Sequence, residues 1–314
     1  MMGKEHLTAA YGISSVEFAG IVDSNPERAD SLAKEFNLPL FTQVEQAIHE
    51  IRPDAVDICT PTSSHRSLIE LCAENHLHAL CEKPLALTRA DAEIIREVCR
   101  KSGIRVMVAQ VLRFWPEYKF AIESVTKETF GPILSITCRR LSSLPAWNSW
   151  MMTPQGGGVA IDLQIHDMDF ILRLLGRPFQ IQAAGYLYKD VIVSIGNQLV
   201  YPSGIPVFTE ASYSMPSSYP FRMYFQIECR DAVMEMDFWR PKEERLRVFP
   251  VKGNPFTPSL PRGNGYGEEI HYFTERLLDG QPFSECPLDE SLMALYMCLA
   301  SEQSCRSHVP VKFD

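Results

Sequence analysis

Between Val16 and Ala109, short apolar runs alternate with helix-patterned stretches, and this alternation most constrains the fold. Val16–Val22 (VEFAGIV) is nearly continuous in apolar residues, as in a strand buried on both faces. Asp54–Thr60 (DAVDICT), His78–Cys81 (HALC) and Ile104–Ala109 (IRVMVA) read as three further strands. Residues 1–11 read as the end of a turn and a short helix, with Gly12 as its C-cap. The segments between strands carry helix signals. Asn25 is placed to cap and Pro26 to fill the first turn, with Ala29, Leu32, Ala33 and Phe36 on one stripe. Thr42 with Glu45 predicts a capping box for a helix through Ile51. The polar loop Pro61–His65 leads into a helix through Glu74, and Thr88 with Asp91 caps another that Gly103 closes. Strands alternating with helices imply a parallel, doubly wound sheet with right-handed crossovers. Ligands of such sheets bind beyond the C-terminal ends of the strands. Asp23, the Thr60–His65 loop, Glu82-Lys83-Pro84 and Gln110–Arg113 all fall at such ends. Pro84 restricts the backbone of Lys83 to an extended form.

The later part of the chain has a different grammar. A helix from Pro116 to about Thr129 is broken by Gly131-Pro132, and Ile133–Leu141 is strand-like. Phe179–Tyr188, Pro206–Met215, Arg222–Cys229, Ala232–Phe238 and Arg245–Val251 are β-rich runs joined by turn residues, which favours a mostly antiparallel sheet. Two helices, Glu268–Leu278 and Leu288–Cys305, follow. A chain of 314 residues accommodates two domains. The expected fold class is α/β plus α+β. A Rossmann-like domain would span residues 1–114. An open-sheet domain would span 115–314, its last helix or tail returning to the first.

Between these parts lies Gly156-Gly157-Gly158, followed by a helical pattern that ends at Gly176 with Pro178 beyond. Asp162 and His166 stand four apart and would share one face of a single helix. A carboxylate one turn before a His suits a general base and its orienting partner; a solvated helix face is the plainer reading. The net charge of -9 argues against a nucleic-acid partner. No apolar run is long enough to span a bilayer and no signal peptide is evident, so no membrane partner is expected. Nine cysteines, an odd number without a CxxC pair, favour a reducing, cytoplasmic location. His76, His78 and Cys81 superficially suggest zinc but lack a fourth ligand at zinc-finger spacing, so no metal is expected.

Several stretches together carry a family resemblance. They are Val22-Asp23 with Asn25-Pro26-Glu27-Arg28; Cys59-Thr60-Pro61-Thr62 with His65; Glu82-Lys83-Pro84-Leu85-Ala86; Arg113-Phe114 with Pro116; and Gly156–Asp169. In this order they resemble the glucose–fructose oxidoreductase / inositol dehydrogenase family of NAD(P)-dependent enzymes. The resemblance implies Lys83, Asp162 and His166 as the catalytic trio. It implies Gly3, His6, Asp23, Ser24, Arg28, Thr60, Pro61, His65, Glu82, Lys83 and Arg113 as cofactor-binding, with Asp23 the acid on the adenosine ribose. Lys83, Trp150, Asp162 and His166 would meet the substrate. Trp150 and Trp147 suit either stacking on a sugar ring or packing against the sheet edge. The implied cofactor is NAD, with NADP as the alternative. The implied substrates are sugars and polyols, and the assembly a homodimer or homotetramer through the open sheet.

The family opens with a strand and a Gly-x-Gly-x-x-Gly turn. Met1-Met2-Gly3-Lys4-Glu5-His6-Leu7 reads as the last glycine of that turn and the start of its helix, and Asp23 follows Gly3 by 20 residues. A sheet without its central strand is expected to rearrange, borrow a strand or fold poorly, and to bind dinucleotide weakly. Two competing readings are a sensor or scaffold with little catalysis, and a metal-dependent lyase or hydrolase using Asp162, His166 and Asp169. Nicotinamide absorbance across a sugar panel separates the first from a dehydrogenase; metal analysis addresses the second.

Overall fold

The computed structural model describes residues 2–144, 153 and 156–313. Its first part runs α1 (Met2–Ala10), β1 (Ile21–Val22), α2 (Pro26–Phe36), β2 (Leu40–Phe41), α3 (Val44–Ile51), β3 (Ala55–Ile58), α4 (His65–Glu74), β4 (His78–Glu82), α5 (Arg89–Ser102) and β5 (Val106–Ala109). The expected caps are present at α2 and α5. Asn25 accepts from the Glu27 amide, Thr88 accepts from the Asp91 amide, and Gly103 closes α5 with φ of 74°. At α3 the expectation fails. The flanking residue is Gln43, without a side-chain cap, and Thr42 lies one position too early to serve the first free amides.

All strand pairings in this part are parallel, but the sheet is in two pieces, β1-β2 and β3-β4-β5. Among the described residues no ladder joins β1 to β3. The strand expected over Val16–Val22 is reduced to Ile21–Val22. Its partner, β2, is two residues long, and among the described residues Val16–Gly20 join no strand ladder.

The second part contains α6 (Pro116–Thr126), β6 (Ile133–Leu141), α7 (Gly158–Asp162), α8 (Ile165–Leu175), β7 (Gln180–Tyr188), β8 (Val191–Val200), β9 (Val207–Ser212), β10 (Arg222–Cys229), β11 (Ala232–Asp237), β12 (Leu246–Pro250), α9 (Gly265–Leu278), α10 (Leu288–Ser307) and β13 (Val311–Lys312). Eight strands form one sheet in the order β12-β11-β10-β6-β9-β8-β7-β13, antiparallel except for the β6–β9 pair. The sequence reading passed over β8. Its signal was Lys189-Asp190 between two alternating runs: both residues have positive φ, 48° and 65°, as a tight hairpin turn requires.

One face of this sheet is core. Phe225 of β10, Phe170 of α8 and Tyr118 of α6 meet at ring-centroid distances of 4.7–5.1 Å. Arg140 enters the same layer from β6, fully buried, and its guanidinium pairs with Asp167 at 2.8 and 3.1 Å and with Tyr118 at 3.2 Å. A buried guanidinium persists only when paired and hydrogen-bonded in this way. The other face is open and carries the Arg139–Glu210 ion pair together with exposed Phe208 and Tyr186.

Two later helices return to the first part. α10 reaches α5, where the Tyr296 hydroxyl donates to Glu93 at 2.6 Å. α9 lies on α1 so closely that a Cβ on Gly267 would come within 2.8 Å of the Ala9 carbonyl, which only glycine permits. Among the described residues no helix is long and apolar enough to cross a membrane.

Candidate active site

β4 ends in Glu82, and the next residue, Lys83, extends toward the second part of the chain. Its Nζ donates to the Asp162 carbonyl at 2.9 Å and to Asp162 Oδ1 at 3.2 Å. The second oxygen of that carboxylate, Oδ2, accepts a short hydrogen bond from the Tyr213 hydroxyl. The pair is largely buried, with side-chain exposures of 17% for Lys83 and 8% for Asp162. Low local dielectric strengthens such a contact and holds both groups in place. Burial, followed by the neighbouring Asp162 carboxylate, raises the Tyr213 phenol well above its usual range, so it is a donor here.

Asp162 and His166 were expected on one continuous helix, but the structure divides it. α7 begins in the left-handed conformations of Gly157 and Gly158, φ of 77° and 60°, and ends at Asp162. At Leu163-Gln164 the turn widens, with the Gln164 amide bonding back to the Val159 carbonyl at 3.0 Å. The break has its cause in long-range contacts. The Gln164 side chain is drawn into a buried polar group, donating to Thr209 at 2.8 Å and accepting from Ser301 at 3.3 Å; Asn197 also donates to Thr209 at 3.1 Å. The break leaves the Asp162 carbonyl to Lys83.

His166 occupies the first turn of α8. Its Nδ1 is buried without a protein hydrogen-bond partner among the described residues. Burial, then the positive charges of Lys83 and Arg140, press its pKa well below the usual imidazole value. It is therefore a neutral imidazole at physiological pH, able to accept a proton.

The other strand-end residues follow β1, β3 and β4. Asp23, after β1, accepts at Oδ1 from the Asn25 amide and from Arg28 Nη2, both at 2.8 Å, while Ser24 is exposed between them. Thr60 and Pro61, after β3, are exposed on the rim. His65 is buried and clamps two loops, one ring nitrogen 3.0 Å from the Thr60 carbonyl and the other 3.0 Å from that of Pro84. Gly3 sits in the first turn of α1, where a Cβ would meet Cys59 at an ordinary 3.6 Å.

His6 is fully buried between two carboxylates: Nδ1 is 2.9 Å from Asp57 and Nε2 is 3.1 Å from Glu82. Burial alone would lower its pKa. The hydrogen bonds to Asp57, Cys59 and Glu82 outweigh burial and hold it far above the ordinary value. Glu82 is thereby anchored, its other oxygen accepting from the Lys83 amide at 2.9 Å. These contacts make His6 and His65 supports of the strand ends.

Arg113 is placed elsewhere. Its guanidinium is 2% exposed and bonds Asp169 at 2.6 and 2.9 Å, Glu290 at 2.7 Å and the Glu285 carbonyl at 2.6 Å. All three guanidinium nitrogens are taken by protein oxygens, so its cofactor-binding assignment is revised to that of a buried strut. Asp169 is committed to the same strut, and among the described residues Asp162, His166 and Asp169 do not converge as metal ligands. Trp150 and Trp147 lie outside the described residues.

Two groups were given no role from the sequence. Tyr213 gave no signal beyond an inward position on a strand. Gln110 follows β5 with side-chain nitrogen and oxygen both buried and without a hydrogen-bond partner among the described residues. Its position at a strand end was the only clue.

Both parts of the chain match known proteins. Residues 1–110 match the oxidoreductase family with an NAD-binding Rossmann fold, and residues 118–235 match the GFO/IDH/MocA C-terminal domain. A D-xylose 1-dehydrogenase (NADP(+)) from Haloferax volcanii is 24% identical over 324 residues, covering 98% of either protein. An inositol 2-dehydrogenase from Rhizobium meliloti is 30% identical over 218 residues, 67% of this chain and 63% of that one. The solved structure of UDP-N-acetylglucosamine 3-dehydrogenase from Acidithiobacillus ferrooxidans superposes with a TM-score of 0.83 at 23% identity, over 98% of this chain and 95% of the other. With both of its parts matched in order, the chain belongs to the GFO/IDH/MocA family of oxidoreductases.

Proposed function

We propose that the chain is an NAD(P)-dependent dehydrogenase acting on a secondary alcohol of a sugar, polyol or close derivative. One observation carries this reading. Lys83 and Asp162, 79 residues apart in sequence, meet beside a neutral, partly exposed imidazole. In this reading residues 1–114 hold the cofactor and 115–314 wall the substrate. Gln110, whose buried amide beyond β5 has no hydrogen-bond partner among the described residues, and the exposed Thr60-Pro61 rim offer hydrogen bonds suited to a polar cofactor. A bound nicotinamide would supply the two-electron acceptor for hydrogen leaving the carbinol carbon.

The chain's own residues do the rest. His166 accepts the hydroxyl proton, since its lowered pKa keeps it unprotonated. With Nδ1 buried, Nε2 is the atom left for this step. Lys83 donates to the oxygen as negative charge develops there, a role its cationic head fills without reorganisation. Asp162, held by Tyr213, fixes where that head points. Incubating purified protein with NAD or NADP and a panel of sugars and polyols, while following nicotinamide absorbance, tests the proposal. Silence across the panel with folded protein would count against it.

NAD is expected to bind more tightly than NADP. A carboxylate at Asp23 accepts from ribose hydroxyls and repels a 2′-phosphate. The opposing feature is Arg28, already 2.8 Å from Asp23 and two-thirds exposed, free to swing toward a phosphate. Calorimetry with both cofactors decides; tighter NADP would mean that Arg28 wins. The nine free thiols, eight of them buried, support a cytoplasmic setting. The open face of the eight-stranded sheet is the surface through which we expect the chain to dimerise or tetramerise.

A further inference from the structure

Among the described residues, one group of three metal-ligating side chains converges outside the Lys83–Asp162–His166 centre: His6, Asp57 and Cys59. Asp57 and Cys59 are two apart at the end of β3, so they project to the same side. His6 comes from the second turn of α1. Its Nδ1 lies 3.2 Å from Asp57 Oδ1 and 3.5 Å from Cys59 Sγ, and Sγ lies 3.4 Å from that same Oδ1. Tetrahedral zinc takes nitrogen and oxygen at about 2.0–2.2 Å and sulfur at about 2.3 Å, which puts its ligand atoms roughly 3.3–3.6 Å from one another. The triangle already present is within a few tenths of an ångström of that spacing, a fit that rests on geometry alone.

A second, independent observation supports it. Glu82 Oε1 sits 3.1 Å from the far ring nitrogen of His6, and the other Glu82 oxygen is fixed by the Lys83 amide. A carboxylate on the far nitrogen is the usual partner of a metal-bound imidazole; it fixes the tautomer and makes the free nitrogen a better ligand. Here it leaves Nδ1 to face Asp57 and Cys59. Asp57 is exposed and Cys59 partly so, which gives an ion a path from solvent and a fourth position open to water.

We propose that His6, Asp57 and Cys59 form a three-ligand site for a zinc-class divalent cation, oriented by Glu82. The mixed nitrogen, oxygen and sulfur donors select zinc or cobalt over magnesium and calcium. Binding displaces the proton held at Nδ1 and the thiol proton to solvent, and the thiolate and the Asp57 carboxylate balance the ion's charge. Glu82 precedes Lys83, and Cys59 precedes Thr60-Pro61. An ion here therefore sits against the strand ends that we assign to the cofactor.

The test needs neither substrate nor nicotinamide, so its outcome is separate from that of the dehydrogenase reading. The full chain, cleared of metal with a chelator, is titrated with Co²⁺ and then Zn²⁺. One equivalent of cobalt should give a thiolate-to-cobalt absorption band, and zinc should abolish it. Cys59→Ser should remove the band. Glu82→Gln should weaken zinc binding by about 10–100-fold while leaving the band's position. Failure to bind zinc stoichiometrically would overturn the site. So would a band that survives Cys59→Ser, since another cysteine would then be the ligand. An unchanged zinc affinity in Glu82→Gln would remove Glu82 from it.

Discussion

Replacing His166 by alanine is expected to lower turnover by about 10²–10⁴-fold, the usual worth of a general base. Cofactor affinity should be nearly unchanged, because the strand-end residues we assign to the dinucleotide are untouched. The same assignment fixes the shape of the pH profile. An ordinary imidazole titrates near about 6.5, and activity that required it neutral would fall below that. Burial and the charges of Lys83 and Arg140 lower the pKa of His166. The acid limb for alcohol oxidation should therefore lie below the ordinary imidazole range, and activity should hold steady across neutral pH. Steady-state kinetics of wild type and His166→Ala against pH would show both effects. Wild-type turnover in the variant, or an acid limb at or above the ordinary imidazole value, would remove His166 from the role of base.

Arg113→Met is expected to cost about 3–5 kcal/mol of folding stability, the penalty for removing one partner of a buried pair. Arg113 and Asp169 are 2% and 1% exposed, and their two hydrogen bonds run nearly without solvent screening. Methionine fills much of the volume but leaves the Asp169 carboxylate without its cation. Glu290 and the Glu285 carbonyl lose a partner too, though Glu290 is exposed enough to rehydrate. A loss of that size is a large share of a whole domain's margin of about 5–15 kcal/mol. Urea unfolding monitored with an unchanged m value measures it. The double replacement Arg113→Met with Asp169→Leu should recover most of the loss, since the cost lies in the unpaired charge. A loss under about 1 kcal/mol in the single variant would mean that the pair contributes little.

The sequence made the parallel part readable because its signals are local. Asn25-Pro26, Thr88 with Asp91, and Gly103 each act on the turn in which they stand, and each appears where expected. The extended stretch before Asp23 was not readable, because a strand exists only with a partner and the partner is remote in sequence. The site shows the same division. Lys83 and Asp162 were singled out together only through the family resemblance; that Lys83 Nζ bonds Asp162 is seen in the structure alone. Arg113 was misplaced because a loop arginine at a strand end looks identical whether it faces a ligand or a buried acid 56 residues on. The break in the helix at Leu163-Gln164 depends on Thr209 and Ser301, and no local pattern announces it.

The open face of the eight-stranded sheet has one further consequence. Phe208, 46% exposed, stands on β9, which is paired on both sides by β6 and β8, and Tyr186, 66% exposed, stands on the same open face on β7, beside β8. Another copy laid on this face would bury apolar side chains, so mass action favours the covered form as protein concentration rises. Thermal stability would then become a function of concentration rather than a fixed property of the chain. Dilution should lower the melting temperature together with the weight-average mass in sedimentation. Phe208→Asp should leave a monomer whose melting point no longer moves with dilution; a concentration-independent melt in the parent protein would mean that the face stays bare.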